Sequence, residues 1–240
     1  MVEKKYIAPN AITAANMLLG YLSITSSIKG NISYAIWFIF LAMVCDGLDG
    51  KTARKLDAFS EFGKEFDSFA DAISFGIAPS ILVYSILSNF PKFVSFVIPV
   101  AFIYALCGVM RLVKFNVVTI ASDEKDDFSG MPIPNGAATI ISYLLICQQA
   151  DKFGHNLFSV EIFMGITVIS AALMVSTIPF VTPDKAFKFV PKKFTPVFII
   201  LIFLTLKYSM FLISFYYIIY NLLQYHRYRK EMKFTSSYED

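Results

Sequence analysis

At 240 residues, with 56% hydrophobic, 16% aromatic and only 16% charged side chains and a mean hydropathy of +0.60, the chain lacks the surface of a soluble domain, in which roughly a quarter of residues carry charge. Its formal net charge of +3 gives no nucleic acid a footing. Cys45, Cys107 and Cys147 are isolated, form no CxxC and exclude a disulfide framework.

In chain order, apolar runs occupy Pro9–Ile28, Asn31–Cys45, Ala72–Pro91, Phe93–Met110, Met131–Ala150, Leu157–Pro183, Phe194–Leu206 and Tyr208–Tyr225. A helix needs about 20 such residues to cross a hydrocarbon layer about 30 Å thick. The longer runs qualify outright, whereas Asn31–Cys45 must continue into the charged stretch that opens at Asp46, and Phe194–Leu206 is a shorter candidate. Lys4 and Lys5 precede the first run as in a secretory signal. That run is as long as a full span and no small-residue cleavage pattern closes it, so it reads as a membrane helix. Pro132, Pro134 and Gly136 stand where the fifth span begins, and proline is tolerated in a first helical turn.

The expected fold is therefore all-α: a polytopic membrane helix bundle of about eight transmembrane helices. It forms a single domain over residues 1–240, with a short basic tail at 227–240. An even number of spans puts both termini on one side. Of the 21 basic residues, 17 then fall on that side and four (Lys29, Lys92, Lys152 and Lys207) on the other. The positive-inside rule makes that side cytoplasmic. The tail Tyr225–Lys233 suits anionic headgroups, and equally suits an ordinary positive flank. His155 and His226 have no metal-ligand neighbours, and there is no P-loop, HExxH or GxSxG.

One segment breaks the apolar pattern. Between Asp46 and Asp71 lie seven of the 18 acids: Asp46, Asp49, Asp57, Glu61, Glu65, Asp67 and Asp71. A charge near the bilayer centre costs about 2.5–3.5 kcal/mol, less toward the interface. Clustered carboxylates add mutual repulsion, and a bound divalent cation relieves both penalties. Asp46 and Asp49 are i and i+3 at the end of the second span, so they share a helix face, which Gly50, Ala53 and Arg54 continue one turn on. Asp67 and Asp71 are i and i+4 at the start of the third span. Two antiparallel helices joined by a short turn near Lys55–Phe62 would bring the pairs together. Oxygen ligands alone suit Mg²⁺ or Mn²⁺ better than zinc. Gly50 and Ala53 leave room for a phosphate-bearing ligand near the backbone, and Arg54 can grip phosphate in a fork. A solvated charged loop is the bland alternative, but it leaves the matched helical spacings unexplained.

Asp46-Gly47-Leu48-Asp49-Gly50-Lys51-Thr52-Ala53-Arg54, eight residues, then Gly63-Lys64-Glu65-Phe66-Asp67-Ser68-Phe69-Ala70-Asp71 resembles the signature of the CDP-alcohol phosphotransferase family at every fixed position. The resemblance implies a reaction: an acceptor hydroxyl attacks the lipid-bearing phosphorus of a CDP-linked lipid, and CMP leaves. It implies two divalent cations held by Asp46, Asp49, Asp67 and Asp71, with Asp71 also the base. It implies CDP-lipid contacts at Asn10, Thr13, Asp49, Gly50, Ala53, Arg54, Ser60 and Gly63. A homodimer in the cell membrane, with its active site at the cytoplasmic face, belongs to the same expectation.

The stretch from Asp67 to Pro79 looks most like the membrane-type phosphatidylserine synthases. Phosphatidylglycerophosphate synthases tend to carry Lys directly after the last Asp, where this chain has Ala72. Arg111-Leu112-Val113-Lys114-Phe115-Asn116 and Gly130-Met131-Pro132-Ile133-Pro134-Asn135-Gly136 point the same way. The resemblance thus implies CDP-diacylglycerol or CDP-archaeol as donor and L-serine as acceptor. Arg111, Lys114, Asn116 and Asn135 then become candidates for the serine or a lipid phosphate. Lys114 reads equally well as a flanking cation. Within the family, archaetidylserine, phosphatidylglycerophosphate and inositol-phosphate lipid synthesis remain alternatives. Outside it, inward-facing carboxylates also suit a divalent-cation transporter, although no second acidic cluster continues a path across the membrane.

Overall fold

The computed structural model describes residues 4–121, 128–180 and 206–236. Helix α1 (Ile7–Ile28) follows a 3₁₀ turn at Lys4–Tyr6 and packs along α2 (Ile32–Lys55). The buried residues of α1 are Pro9, Thr13, Asn16, Gly20, Ser23 and Ser27. They recur every three or four positions, yet all are small or polar, while Leu18, Tyr21 and Ile28 are more than half exposed. A helix with its polar stripe inward and its large apolar side chains outward is built for lipid, where close approach and interhelical hydrogen bonds replace the hydrophobic drive. Those bonds are present: Ser23 Oγ donates to the Ala35 carbonyl at 3.0 Å, and Ser85 Oγ to the Ser27 carbonyl at 2.6 Å.

The expected prolongation of the second span into its charged end is observed, since α2 runs unbroken to Lys55. The chain then reverses over Leu56–Ser60. Asp57 takes a left-handed φ of 47°, which Asp tolerates better than most side chains. Ser60 is the N-cap of α3 (Glu61–Asp71), its Oγ accepting the Gly63 N–H at 3.0 Å. Directly after Asp71 the helix widens into a π turn, Ala72–Ile77, before resuming as α4 (Ala78–Leu87). Tyr104 Oη, fully buried, donates to the Phe75 carbonyl inside that turn at 3.1 Å, supplying a partner where the regular ladder is disturbed.

Gly20 allows α1 and the π turn to meet at backbone distance. A Cβ on Gly20 would meet Ser74 Oγ and lie 2.8 Å from Ser74 Cα. Replacing Gly20 by Ala is expected to push the two helices apart at a cost of about 1–3 kcal/mol, seen as a lower Tm of the detergent-solubilised protein.

Helix α5 (Val94–Ala121) carries Pro99 in its interior, and α6 (Ile133–Lys152) has ten of its 20 residues buried. Pro134 sits in the first turn of α6, where the sequence pattern puts it. Phe75, Leu82, Tyr104, Ile133, Ile140, Ile141 and Met174 lie together in one continuous core.

The sixth expected span is shorter than its apolar run. Leu157–Pro183 yields only α7 (Val160–Val175), capped by Ser159 and stopped at Ser176, which turns extended. A residue just before proline avoids helical geometry, and Pro179 instead enters a two-residue strand pairing, Phe128–Ser129 with Pro179–Phe180. Gly130 completes this corner with φ +90°, its N–H donating to the Ile178 carbonyl at 2.9 Å. The seventh candidate, Phe194–Leu206, lies outside the described residues apart from Leu206, which opens α8 (Leu206–Ser236). That helix does not end at Tyr225. It carries the basic stretch onward as helix to Ser236, and it packs on α6.

The fold is thus all-α. Among the described residues, four helical stretches, Lys4–Ile28, Ile32–Lys55, Glu61–Leu87 and Pro91–Val117, are long and apolar enough to cross a membrane.

Candidate active site

Helices α2 and α3 each pack on α1 and touch one another little. They stand like the walls of a cleft whose floor is the N-terminal half of α1. The carboxylates close the inner end of this cleft. One oxygen from each of Asp46, Asp49 and Asp67 lies within 4.8 Å of the others. The helical spacings therefore bring these three together, but through α1 rather than by direct pairing of the two helices they belong to.

Asp49, only 5% exposed, has Thr13 Oγ1 at 2.9 Å from its Oδ2. The same hydroxyl lies 3.1 Å from the Pro9 carbonyl, so its one proton is shared between two acceptors. Asp67 Oδ1 is buried without a hydrogen-bond partner. An orphaned carboxylate oxygen facing two further carboxylates is unfavourable in a bare protein. It is what an oxygen-ligated divalent cation requires. The donor set, oxygen throughout, fits a hard cation.

Asp71 stands apart from the close trio, one turn further along α3 and 8% exposed. It remains within electrostatic reach of Asp46, Asp67 and Asp49. Its Oδ1 accepts Asn16 Nδ2 at 3.3 Å. Asn16 itself is fully buried, and the sequence analysis does not single it out. Its signal was available: Asn16 continues the i, i+3 line from Asn10 through Thr13, polar positions in an otherwise apolar run.

Outward from the trio, the cleft opens into a cavity of about 550 Å³. Asn10, Thr13, Asp49, Gly50, Ala53, Ser60 and Gly63, all expected at the CDP-lipid, line it together with Asp67. A Cβ on Gly50 would meet nothing within 4 Å, so the backbone there is open to the cavity. At Gly63 a Cβ would lie 3.0 Å from Ser60 Oγ and 3.4 Å from Asn10 Oδ1, so this glycine lets two polar side chains converge. Arg54 is the expected contact that is not among the lining residues. Its Nε donates to the Gly50 carbonyl at 3.1 Å, one turn back in its own helix. Pro9, at the start of the first span, lines the cavity too, as do Lys64, Phe59 and Glu61; for the last three the sequence spacing offered no reason to choose them.

On the far side, Arg111 of α5 is within electrostatic reach of Asp71 and Asp46, and of Tyr217 of α8. Its guanidinium also lies 5.3 Å from the Phe115 ring centroid. Asn116 Nδ2 donates to Ser68 Oγ at 3.0 Å, tying α5 to α3. Asn135 Nδ2 is buried without a partner at the start of α6. Among the acceptor-side candidates, Arg111 is thus within electrostatic reach of the carboxylates. Tyr217 joins it from a helix that carries no recognisable motif.

The cleft as a whole can hold an anionic diphosphate against cations at its carboxylate end, with a buried carboxylate beyond. A family model described as CDP-alcohol phosphatidyltransferase matches residues 6–178. The chain is 34% identical over 206 residues to a CDP-diacylglycerol–serine O-phosphatidyltransferase of Helicobacter pylori, covering 85% of this chain and 83% of that one. It is 45% identical over 126 residues to the enzyme of the same name from Bacillus subtilis, covering 52% and 68%. It is 38% identical over 178 residues to the archaetidylserine synthase of Methanothermobacter thermautotrophicus, covering 73% and 70%.

Proposed function

The chain belongs to the CDP-alcohol phosphatidyltransferase family, and from that premise we propose that it transfers the phosphatidyl group of CDP-diacylglycerol to L-serine with release of CMP. The observation that carries this reading is the meeting of Asp46, Asp49 and Asp67 at the closed end of a cavity lined by the expected nucleotide contacts. The relatives' names supply the acceptor: two act on serine with CDP-diacylglycerol, and the archaeal one makes the corresponding ether-lipid product. CDP-archaeol is accordingly the alternative donor.

In this reading Asp46, Asp49, Asp67 and Asp71 hold two ions, Mg²⁺ or Mn²⁺. Such ions, when bound, would supply positive charge against the diphosphate in phosphoryl transfer. The remaining work falls to the chain. Asn10, Thr13, Ser60 and Gly63 seat the nucleotide. Gly50 and Ala53 admit its phosphates to the backbone, and Lys64 adds a cation to the same cavity. Asp71 takes the proton of the serine hydroxyl as that oxygen bonds to the lipid-bearing phosphorus and the bond to CMP breaks. Arg111, within electrostatic reach of Asp71, orients the serine carboxylate. Lys114, Asn116 and Asn135 complete the acceptor side.

The eight-span arrangement with both termini in the cytoplasm is part of the same proposal, supported by the 17-to-4 distribution of basic residues. So are a single domain over 1–240 with its basic C-terminal end at the membrane surface, a homodimeric state, and a cell-membrane location with the site facing the cytosol. The lipid tails then remain in the bilayer while serine arrives from water.

The deciding measurement is incorporation of labelled serine into lipid by purified protein given CDP-diacylglycerol and Mn²⁺. Labelled serine is expected in the product, with one CMP released per transfer. Product from inositol or glycerol 3-phosphate, and none from serine, would overturn the acceptor and leave the family standing.

A further inference from the structure

The contact between Asn16 and Asp71 spans 55 positions of sequence and joins α1 to the turn at which α3 becomes a π helix. Asn16 is fully buried, and only half of its carboxamide is satisfied. Nδ2 donates to Asp71 Oδ1, while its own Oδ1 is buried without a partner. The amide orientation follows from chemistry: the reverse would set a carbonyl oxygen against a carboxylate. Packing alone is better served by an apolar residue of the same volume, because a half-satisfied amide is costly to bury.

The surroundings fix Asn16 from behind. Ser74 Oγ, within the π turn, donates to the Asn16 carbonyl at 2.9 Å. Ser74 reaches it because Gly20 lacks a Cβ. Two hydrogen bonds thus tie one residue of α1 to the helix irregularity, through Asp71 just before it and Ser74 within it. π turns of this kind recur at functional sites.

We propose that Asn16 is a positioning residue for Asp71: its N–H occupies Oδ1 and so leaves Oδ2 as the oxygen presented to the acceptor hydroxyl. This rests on the transferase reading of the site. Asn16 is neither among the residues that line the nucleotide cavity nor one of the close carboxylate trio, so its loss is expected in the rate rather than in donor binding.

The test compares Asn16→Leu and Asn16→Asp with the unaltered protein. A misdirected carboxylate is expected to lower kcat about a hundredfold, with KM for CDP-diacylglycerol unchanged. Thermal stabilisation by CDP-diacylglycerol with Mg²⁺ should be retained. Asp preserves the volume of Asn and serves where Leu disturbs packing; it should be the slower of the two, since it places a second carboxylate against Asp71. Ser74→Ala, which frees the Asn16 backbone but keeps the amide, should show a smaller loss of kcat. Wild-type turnover in Asn16→Asp would overturn the proposal, because shape would then be all that matters. So would loss of lipid-dependent stabilisation in step with kcat, because Asn16 would then be supporting the whole site. Absence of CMP release from the unaltered protein is a separate failure, that of the transferase reading itself.

Discussion

Asp71→Asn is expected to reduce serine transfer by about 10²–10⁴-fold, the contribution of a positioned general base, while CDP-diacylglycerol still binds. The substitution is nearly isosteric, so the helix and the π turn that follows are not asked to repack. It removes the ability to accept a proton at a position that is 8% exposed and lies beyond the carboxylate trio rather than within it. The cavity lining does not include Asp71 and the other three carboxylates remain to hold cations, which is why much of the donor binding should survive at saturating Mg²⁺ or Mn²⁺. Three measurements separate the roles: kcat, KM for the lipid, and the shift of Tm with CDP-diacylglycerol. Loss of rate with the lipid-induced shift preserved assigns Asp71 to the chemical step. Full turnover in Asp71→Asn would remove it from the mechanism.

Chelation should be equally decisive. Stripping divalent cations is expected to bring transfer to background, and adding Mg²⁺ or Mn²⁺ to restore it. The reason is electrostatic. Three carboxylates with oxygens inside 4.8 Å, one of them with an oxygen that finds no donor in the protein, repel one another in surroundings that screen poorly. A diphosphate brought beside them adds more negative charge. Without cations the cavity repels its own substrate. Asp67→Asn should raise the metal concentration needed for half-maximal activity by at least about tenfold, since even outer-sphere changes at metal sites cost 10–100-fold in affinity. Activity indifferent to chelator would leave the carboxylate cluster without its proposed purpose.

The helical stretches from Ile7 to Val117 follow the apolar runs closely, because a lipid-facing helix must be apolar on most sides and that requirement is written residue by residue. Where the run and the helix part, a local cause is visible: Pro179 and the extended Ser176 cut the sixth span to Val160–Val175. The carboxylate spacing was equally legible. Positions i, i+3 and i, i+4 share a face whatever the helix packs against, so Asp46 with Asp49 and Asp67 with Asp71 were paired from the spacing alone. Arg54 shows the limit of that logic. Its backbone continues the right face, yet its long side chain folds back to Gly50.

What sequence alone determined about this protein is the chemistry available: an all-helical membrane chain, four phased aspartates, small residues beside them, and a family signature that names the reaction. What only tertiary structure decided is how separate helices share that chemistry. That α1 forms the floor between α2 and α3, that Asp71 stands off from the trio, that Asn16 bonds to it, and that Arg111 of α5 comes within its electrostatic reach are all relations between distant segments. A helix's period sets which side chains share one face. The distance from that face to another depends on what fits between two backbones, here a missing Cβ at Gly20 and a widened turn after Asp71, and neither pattern nor composition encodes that distance.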